Sequence, residues 1–106
     1  MLRQGDILLV PVERLPDELT EVPREGGRIV LAEGEATGHL HAIDAPEAIF
    51  LATDLADIEG RFLAVEEEEV KLEHPEHDTV TVAPGNYEVR RQREYSQAGG
   101  MEFVAD

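Results

Sequence analysis

The chain has 106 residues, which is enough for one compact domain and too few for two domains of ordinary size. Hydrophobic residues make up 42% of the chain, whereas 24 acidic against 9 basic residues leave a formal net charge of -15, which disfavours direct binding to nucleic acid or to an anionic membrane. The absence of cysteine excludes disulfides, thiolate metal ligands and cysteine nucleophiles.

Short strand-like segments dominate the first half of the chain. Apolar runs predict strands at residues 7–10, 28–32, 39–43 and 48–52. Turn signals lie at 4–6 and 34–38, and single helical turns are compatible with 15–19 and 53–57. No segment shows a sustained helical period, so the first half indicates β-structure joined by turns.

The second half continues in the same way, with predicted strands at 61–65, 70–74, 79–82, 87–95 and 101–104. Val70, Leu72 and His74 alternate with charged residues, so the three side chains are expected on one face. We therefore predict a single all-β domain over residues 1–106, a small barrel or sandwich of about eight or nine short strands. Exposed strand edges in such a barrel favour a homodimer.

The residues after Met1 bear on the compartment. They read Leu-Arg-Gln-Gly-Asp and lack the apolar core of a signal peptide. The longest apolar runs are also far shorter than the roughly 20 residues that a membrane span needs. We therefore expect a cytoplasmic protein that does not insert into membranes.

All four histidines fall into two pairs, His39 with His41 and His74 with His77. In a strand, His-x-His places both rings on one face, about 6.6 Å apart along the chain, where they can share an ion at about 2.1 Å each. The two pairs predict a site for a divalent transition metal, and the lack of thiolate leaves Zn, Fe, Mn, Ni or Cu. Alternatively, the first pair consists of polar strand residues and the second lies in an acidic loop, with no metal bound.

Carboxylates near the histidines are candidates for further roles. Glu73, Glu76 and Asp78 flank the second pair and can supply oxygen ligands or accept from ring N–H groups. Glu35, in the predicted turn before His39, is the candidate catalytic general base beside a metal-bound water; otherwise it is a solvated turn carboxylate. Three imidazoles and a carboxylate around an ion with an open position would suit metal-activated water or dioxygen chemistry.

The spacing Gly-x-x-x-Gly-His-x-His at 34–41, followed by Pro-Gly at 84–85, resembles the metal site of the cupin superfamily. Members of that superfamily are small double-stranded β-helix barrels. The resemblance implies a cupin-like barrel with one metal ion. In cupins the second histidine motif follows the Pro-x-Gly turn, whereas His74 and His77 precede it here.

Residues 33–43 are more closely similar to a family of short uncharacterised bacterial proteins. Its members share a Gly-Glu-x-Thr-Gly-His-x-His-Ala turn and strand and a histidine-containing acidic segment. They also share a strand that reads Pro-Gly-x-Tyr-Glu-Val-x-x-Gln-Arg-Glu-Tyr. The similarity extends from residues 4–6 to 104–106, and it implies no activity.

Three arginines lie within four positions of the predicted strand at 87–95. Alternation places five residues on its core-facing side: Tyr87, Val89, Arg91, Arg93 and Tyr95. Arg91 and Arg93 then require a partner, because an unpaired buried charge is costly. One such partner is a small anion bound by the guanidinium groups and the Tyr95 hydroxyl, and the other is an internal carboxylate, with the acidic run at 66–69 a candidate.

Three hypotheses on function remain open from the sequence. The first is a small metal-binding β-barrel with a histidine-rich site that binds or acts on a small anionic molecule. The second is a non-catalytic interaction module whose acidic surface binds a basic protein partner or mimics nucleic acid. The third is a metal-dependent structural or sensing domain without turnover.

Overall fold

The computed structural model describes residues 1–33, 39–95 and 101–103, with the backbone alone at 33, 93–95 and 101–103, and every regular element in this part is a β-strand. The strands in chain order are β1 (Leu2–Gln4), β2 (Ile7–Val12), β3 (Thr20–Glu21), β4 (Ile29–Glu33), β5 (Leu40–Ile43), β6 (Ala48–Ala52), β7 (Arg61–Val65), β8 (Val70–Glu73), β9 (Val80–Val82), β10 (Gly85–Arg91), β11 (Arg93–Tyr95) and β12 (Met101–Phe103). The all-β class is therefore confirmed. Within the described residues, no helix is long and apolar enough to span a membrane.

The strands form two larger antiparallel sheets and one small hairpin. Six strands make the first sheet in the order β1-β2-β10-β7-β6-β3, four make the second in the order β4-β5-β8-β9, and β11 pairs with β12. The edge strands β1 and β9 lie near each other, and on the opposite side the edge strand β4 lies near β6, the strand next to the edge strand β3. The result is a sandwich whose edges nearly close into a barrel.

Apolar side chains from both larger sheets meet in one buried cluster, which we call the apolar core. Its members are Ile7, Leu9, Ile29, Ile43, Ala48, Phe50, Leu63, Val65, Val70, Leu72, Val82, Tyr87 and Val89. Strict alternation selects them in β6 and β8, where every second residue is buried. Val70 and Leu72 lie on the buried face of β8 with His74 just beyond them, as the sequence predicts.

Several strand predictions are accurate, and the deviations have local causes. β6 and β7 have the predicted bounds, Ala48–Ala52 and Arg61–Val65. β2 continues past the predicted end through Pro11 to Val12. Proline is tolerated there because β1 pairs β2 only from Ile7 to Leu9, so the strand has an open edge at Pro11.

The described residues contain twelve strands, more than the predicted eight or nine. Leu2–Gln4 and Thr20–Glu21 were not predicted as strands, and the predicted strand at 87–95 divides at Gln92 into β10 and β11. A tight turn joins β1 to β2, where Gly5 has a φ of 57° that glycine adopts without strain. Short strands of two or three residues carry too little pattern to be detected in a sequence.

The segments at 15–19 and 53–57, where the sequence left a single helical turn open, contain no helix and consist of turns and irregular backbone. Pro16 restricts the first, and the second is closed by a hydrogen bond from the Thr53 amide to the Gly60 carbonyl. The predicted turn at 34–38 lies outside the described residues.

Candidate functional site

The four histidines lie at one end of the four-stranded sheet, where β5 begins and β8 ends. His41 points inward from β5 and is fully buried, since it alternates with the core residue Ile43. His74 follows β8 and is 8% exposed, while His39 and His77 are half-buried. Antiparallel pairing of β5 with β8 therefore brings the two sequence-distant pairs together.

These rings form one contiguous group, which we call the histidine cluster. His74 is central, with ring centroids 4.4 Å from His41, 4.5 Å from His77 and 5.8 Å from His39. The rings of His41 and His77 are 6.1 Å apart. Imidazoles bound to one tetrahedral ion at about 2.1 Å have centroids about 5 Å apart, so the spacing within the cluster is of the right size for a shared ion.

Gln4 determines which nitrogen of His41 carries hydrogen. The buried Gln4 amide nitrogen donates to the Leu72 carbonyl at 2.8 Å and to the Asp78 carbonyl at 3.0 Å. These two bonds orient the amide so that its oxygen faces His41 Nδ1 at 2.9 Å. Nδ1 is therefore the donor in this contact, and Nε2 is the ring nitrogen that faces Asp6.

Glu76 contacts two of the rings. Its carboxylate lies 3.0 Å from His39 Nδ1, so this ring nitrogen is the one that donates to Glu76. The carboxylate–histidine contact is the usual outer partner of a metal-binding imidazole. The Glu76 amide donates to His74 Nδ1 at 3.0 Å, so the neutral His74 ring has its hydrogen on Nε2 instead.

The ring nitrogens of the cluster do not point to one common position where an ion could bind. Among the described residues, no group of three or more His, Asp or Glu side chains has the arrangement of a metal site. The hydrogen bond from the Glu76 amide to His74 is one reason, because it occupies the nitrogen opposite to the one that His41 presents. His77 Nε2 is buried and has no hydrogen-bond partner within the part of the chain described.

Asp6 is a site residue that the sequence analysis missed. It is 3% exposed, with Oδ1 at 3.7 Å from His41 Nε2 and Oδ2 at 3.1 Å from Arg91 Nε. The sequence analysis placed it in a predicted turn at 4–6 and assigned it no role. The only signal in the sequence was the unexplained charge of Arg91, which the register of β10 against β2 brings opposite Ile7, next to Asp6.

Of the three residues predicted to bind an anion (Arg91, Arg93 and Tyr95), the structure describes the side chain of Arg91. Arg91 forms an internal ion pair, one of the two alternatives, and its partner is Asp6 rather than the acidic run at 66–69. The side chains of Arg93 and Tyr95 lie outside the described residues, as does Glu35. The interruption at Gln92 separates Arg93 from the strand that carries Arg91.

A groove of about 350 Å³ lies beside the histidine cluster. Its walls come from β5, from the end of β8 and the segment after it, and from the residue before β4: Arg28, Leu40, Ala42, Glu73, His74, Pro75 and Thr79. The groove gives solvent access to the side of His74, and Arg28 places a cation on its wall. A small molecule in the groove would therefore reach the histidine cluster.

Comparisons with known proteins identify a family and no activity. No curated protein and no solved structure matches the chain. One family model, described as Domain of unknown function (DUF8820), matches residues 3–92. The matched range includes every histidine of the cluster together with Gln4, Asp6 and Arg91. The chain therefore belongs to this family of uncharacterised domains, as its resemblance to short uncharacterised proteins led us to expect.

Proposed function

We propose that this protein binds one divalent transition metal ion through its histidine cluster. The observation that carries the proposal is the juxtaposition of four imidazoles, with His41 at the buried end and its ring held by Gln4. The expected ligands are His39, His41, His74 and His77. When bound, such an ion supplies Lewis acidity at the floor of the adjacent groove.

A bound cation would offset the free-energy cost of burying ring nitrogens that have no hydrogen-bond partner. Burying a polar nitrogen without a hydrogen bond costs on the order of 1–3 kcal/mol, and His77 Nε2 is such an atom among the described residues. The net charge of -15 also favours cations near the protein. Binding requires His74 to exchange its contact with the Glu76 amide for the ion, a local rotation of one ring.

The resemblance to cupins supports the proposal at the level of the His-x-His strand. His39 and His41 lie at the start of β5 within a two-sheet β-fold, which is the setting that the resemblance implies. The nitrogen and oxygen donors suit Zn, Fe, Mn, Ni or Cu, because no thiolate is present. We further propose a cytoplasmic location, where such ions are bound in competition with other cellular ligands.

Metal analysis of the full chain, purified without an affinity tag, tests the proposal. We expect about one transition metal ion per chain and its loss in the variant His39→Ala/His41→Ala. His39→Ala alone is a milder variant, since His39 is half-buried, and it should weaken binding while leaving the circular dichroism spectrum unchanged. A wild-type chain that takes up no metal on reconstitution, or unchanged occupancy in the double variant, would contradict the proposal.

We propose that the ligand of the groove is a small anion, bound at Arg28 beside His74. Arg91 is engaged by Asp6, whereas the Arg28 guanidinium lies on the groove wall and can bind carboxylate or phosphate. Calorimetric titration with inorganic phosphate and with succinate should show binding that Arg28→Gln weakens. Arg14→Gln, an equal charge change outside the groove, should leave binding unchanged; equal effects of the two variants would rule out Arg28 as the anchor.

An acidic interaction module is the second candidate, favoured by the exposed run of four glutamates between β7 and β8. Such a surface would bind a basic protein with a dissociation constant that rises steeply with salt. A cationic peptide titrated at two ionic strengths tests it. If the wild-type chain binds the peptide in a salt-sensitive manner and takes up no metal, this second function replaces the first.

A further inference from the structure

We propose that the ligand of the groove beside the histidine cluster carries an ammonium group as well as a carboxylate, and that Glu73 binds the ammonium group. This ligand class, a short amino carboxylate, rests on the anion binding proposed at Arg28 and requires no bound metal. The observation that carries it is the presence of a guanidinium and a carboxylate on separate walls of one groove. Glu73 then determines which small anions the groove accepts.

The strand pairing of the smaller sheet separates the two charged residues. β5 lies between β4 and β8, and Ala42 of β5 pairs with Val30 on one side and with Glu73 on the other. Arg28 lies two residues before Val30, on the same face of the sheet. Two inter-strand spacings therefore separate Arg28 from Glu73, about 10 Å across the sheet, which leaves room for a ligand between their side chains.

The Glu73 carboxylate is available to a ligand. It is exposed, and among the described residues no ion pair or hydrogen bond engages it. Lys71 is the neighbouring cation on this face of β8, and it contacts Glu69 at 3.4 Å and the Thr81 hydroxyl at 2.7 Å. A ligand ammonium group would therefore bind Glu73 without displacing an existing partner.

Arg28 has a fixed backbone and an available guanidinium group. Its backbone exchanges two hydrogen bonds with Glu25, of 2.8 and 3.1 Å, around the turn formed by residues 26 and 27. Within the part of the chain that the structure describes, the guanidinium itself has no hydrogen bond or ion pair, not even with Glu25. Arginine in this state can bind a carboxylate through two parallel hydrogen bonds.

The floor of the groove between the two charges is apolar. Ala42 is 4% exposed and Leu40 is half-buried, and both line the groove. A volume of about 350 Å³ is at the lower end of the usual range for small-molecule sites, about 300–1,000 Å³. A short methylene chain would lie on this floor with its carboxylate at Arg28. A second carboxylate at the other end would be repelled by Glu73, whereas an ammonium group would be attracted.

Succinate and β-alanine are a matched pair of probes, because they differ in the replacement of one carboxylate by an ammonium group. In calorimetric titrations of the full chain at low salt, we expect the wild type to bind β-alanine at least about threefold more tightly than succinate. Glu73→Gln should abolish this preference, whereas Arg28→Gln should weaken the binding of both compounds. Glu13→Gln, the same charge change at an exposed position just after β2, should alter neither.

The outcomes separate the role of Glu73 from the anion site. Both substituted residues are exposed, so the variants should retain the circular dichroism spectrum of the wild type. Equal affinities of the wild type for the two compounds, or an unchanged preference in Glu73→Gln, would overturn the role of Glu73 and leave an anion site at Arg28. A wild-type chain that binds neither compound would overturn the anion site and the ligand class together.

Discussion

The apolar core and the histidine cluster are both buried, and they depend on their surroundings in different ways. In the core, residues such as Leu63 and Ile43 contact neighbours from both sheets without directional bonds. In and around the cluster, His41 is oriented by Gln4, and Gln4 is oriented by two backbone carbonyls. Volume and hydrophobicity therefore determine what the core accepts, whereas the cluster requires particular atoms at particular positions.

The largest effect is expected in the core, from Leu63→Ala. Leu63 has no exposed surface, so truncation removes buried methyl groups and leaves a cavity that costs about 2–5 kcal/mol. Urea denaturation followed by circular dichroism measures the loss. Leu63→Met, which nearly conserves volume, should cost less than about 1.5 kcal/mol. Equal losses of stability in the two variants would mean that the volume of the side chain at position 63 does not determine the stability of the core.

Gln4→Leu makes the opposite test, because it conserves volume and removes hydrogen bonds. The Leu72 carbonyl and His41 Nδ1 would lose their partner, which costs about 1–3 kcal/mol in a buried setting. Gln92→Leu is the control, since Gln92 Oε1 accepts no hydrogen bond among the described residues. If Gln92→Leu lowers the free energy of unfolding as much as Gln4→Leu in the same urea titration, the hydrogen bonds of Gln4 do not account for the loss.

Tyr87 belongs to the core through its ring, and its hydroxyl donates to the Ala83 carbonyl at 2.6 Å. Burial raises the pKa of Tyr87 above its ordinary value of 10.0. The unfolded chain then releases this proton first, so the stability due to the neutral hydroxyl is fully present below about pH 10 and is lost as pH rises further. Tyr87→Phe should cost about 1 kcal/mol at neutral pH and flatten the alkaline loss. Denaturation curves at neutral and at alkaline pH measure both effects. If the free energy of unfolding of the variant falls as steeply with rising pH as that of the wild type, Tyr87 is not the group that causes the fall.

The smallest effect is expected from Arg90→Gln, next to the buried contact of Arg91. Arg90 pairs with Glu88 at 2.6 Å on the surface, where solvent and salt screen the pair. The loss of stability should not exceed about 0.5 kcal/mol and should vanish at high salt. Arg91→Gln, which removes a cation in contact with the buried Asp6, should cost clearly more under the same conditions. Equal costs would indicate that burial does not distinguish the two pairs.

The sequence predicts the apolar part of this protein well. The strands Ala48–Ala52 and Arg61–Val65 have apolar runs with clear boundaries, and their bounds follow from local residues alone. The shared inward face of Val70, Leu72 and His74 likewise follows from period two. The local sequence pattern is sufficient to predict a strand and its buried face wherever apolar residues recur with a constant period along a segment.

The polar cluster is predicted only in part. The His-x-His spacing identified His39 and His41, and the clustering of all histidines suggested the second pair. Gln4 and Asp6 escaped detection because their turn has no local feature that requires burial. The contact of Asp6 arises from β10 pairing with β2, which brings Arg91 to it from 85 positions away, and the contacts of Gln4 reach Leu72 and Asp78, 68 and 74 positions away. Contacts of that sequence separation leave no periodic trace.

The two bonds that Gln4 donates span 68 and 74 positions of the chain. During synthesis, β1 emerges from the ribosome first, and at about 5–20 residues per second its amide waits roughly 4–15 seconds for Asp78 to be made. The orientation of His41 by Gln4 therefore requires the chain to be complete at least as far as Asp78, and an ion bound as proposed would meet the finished site only after that point.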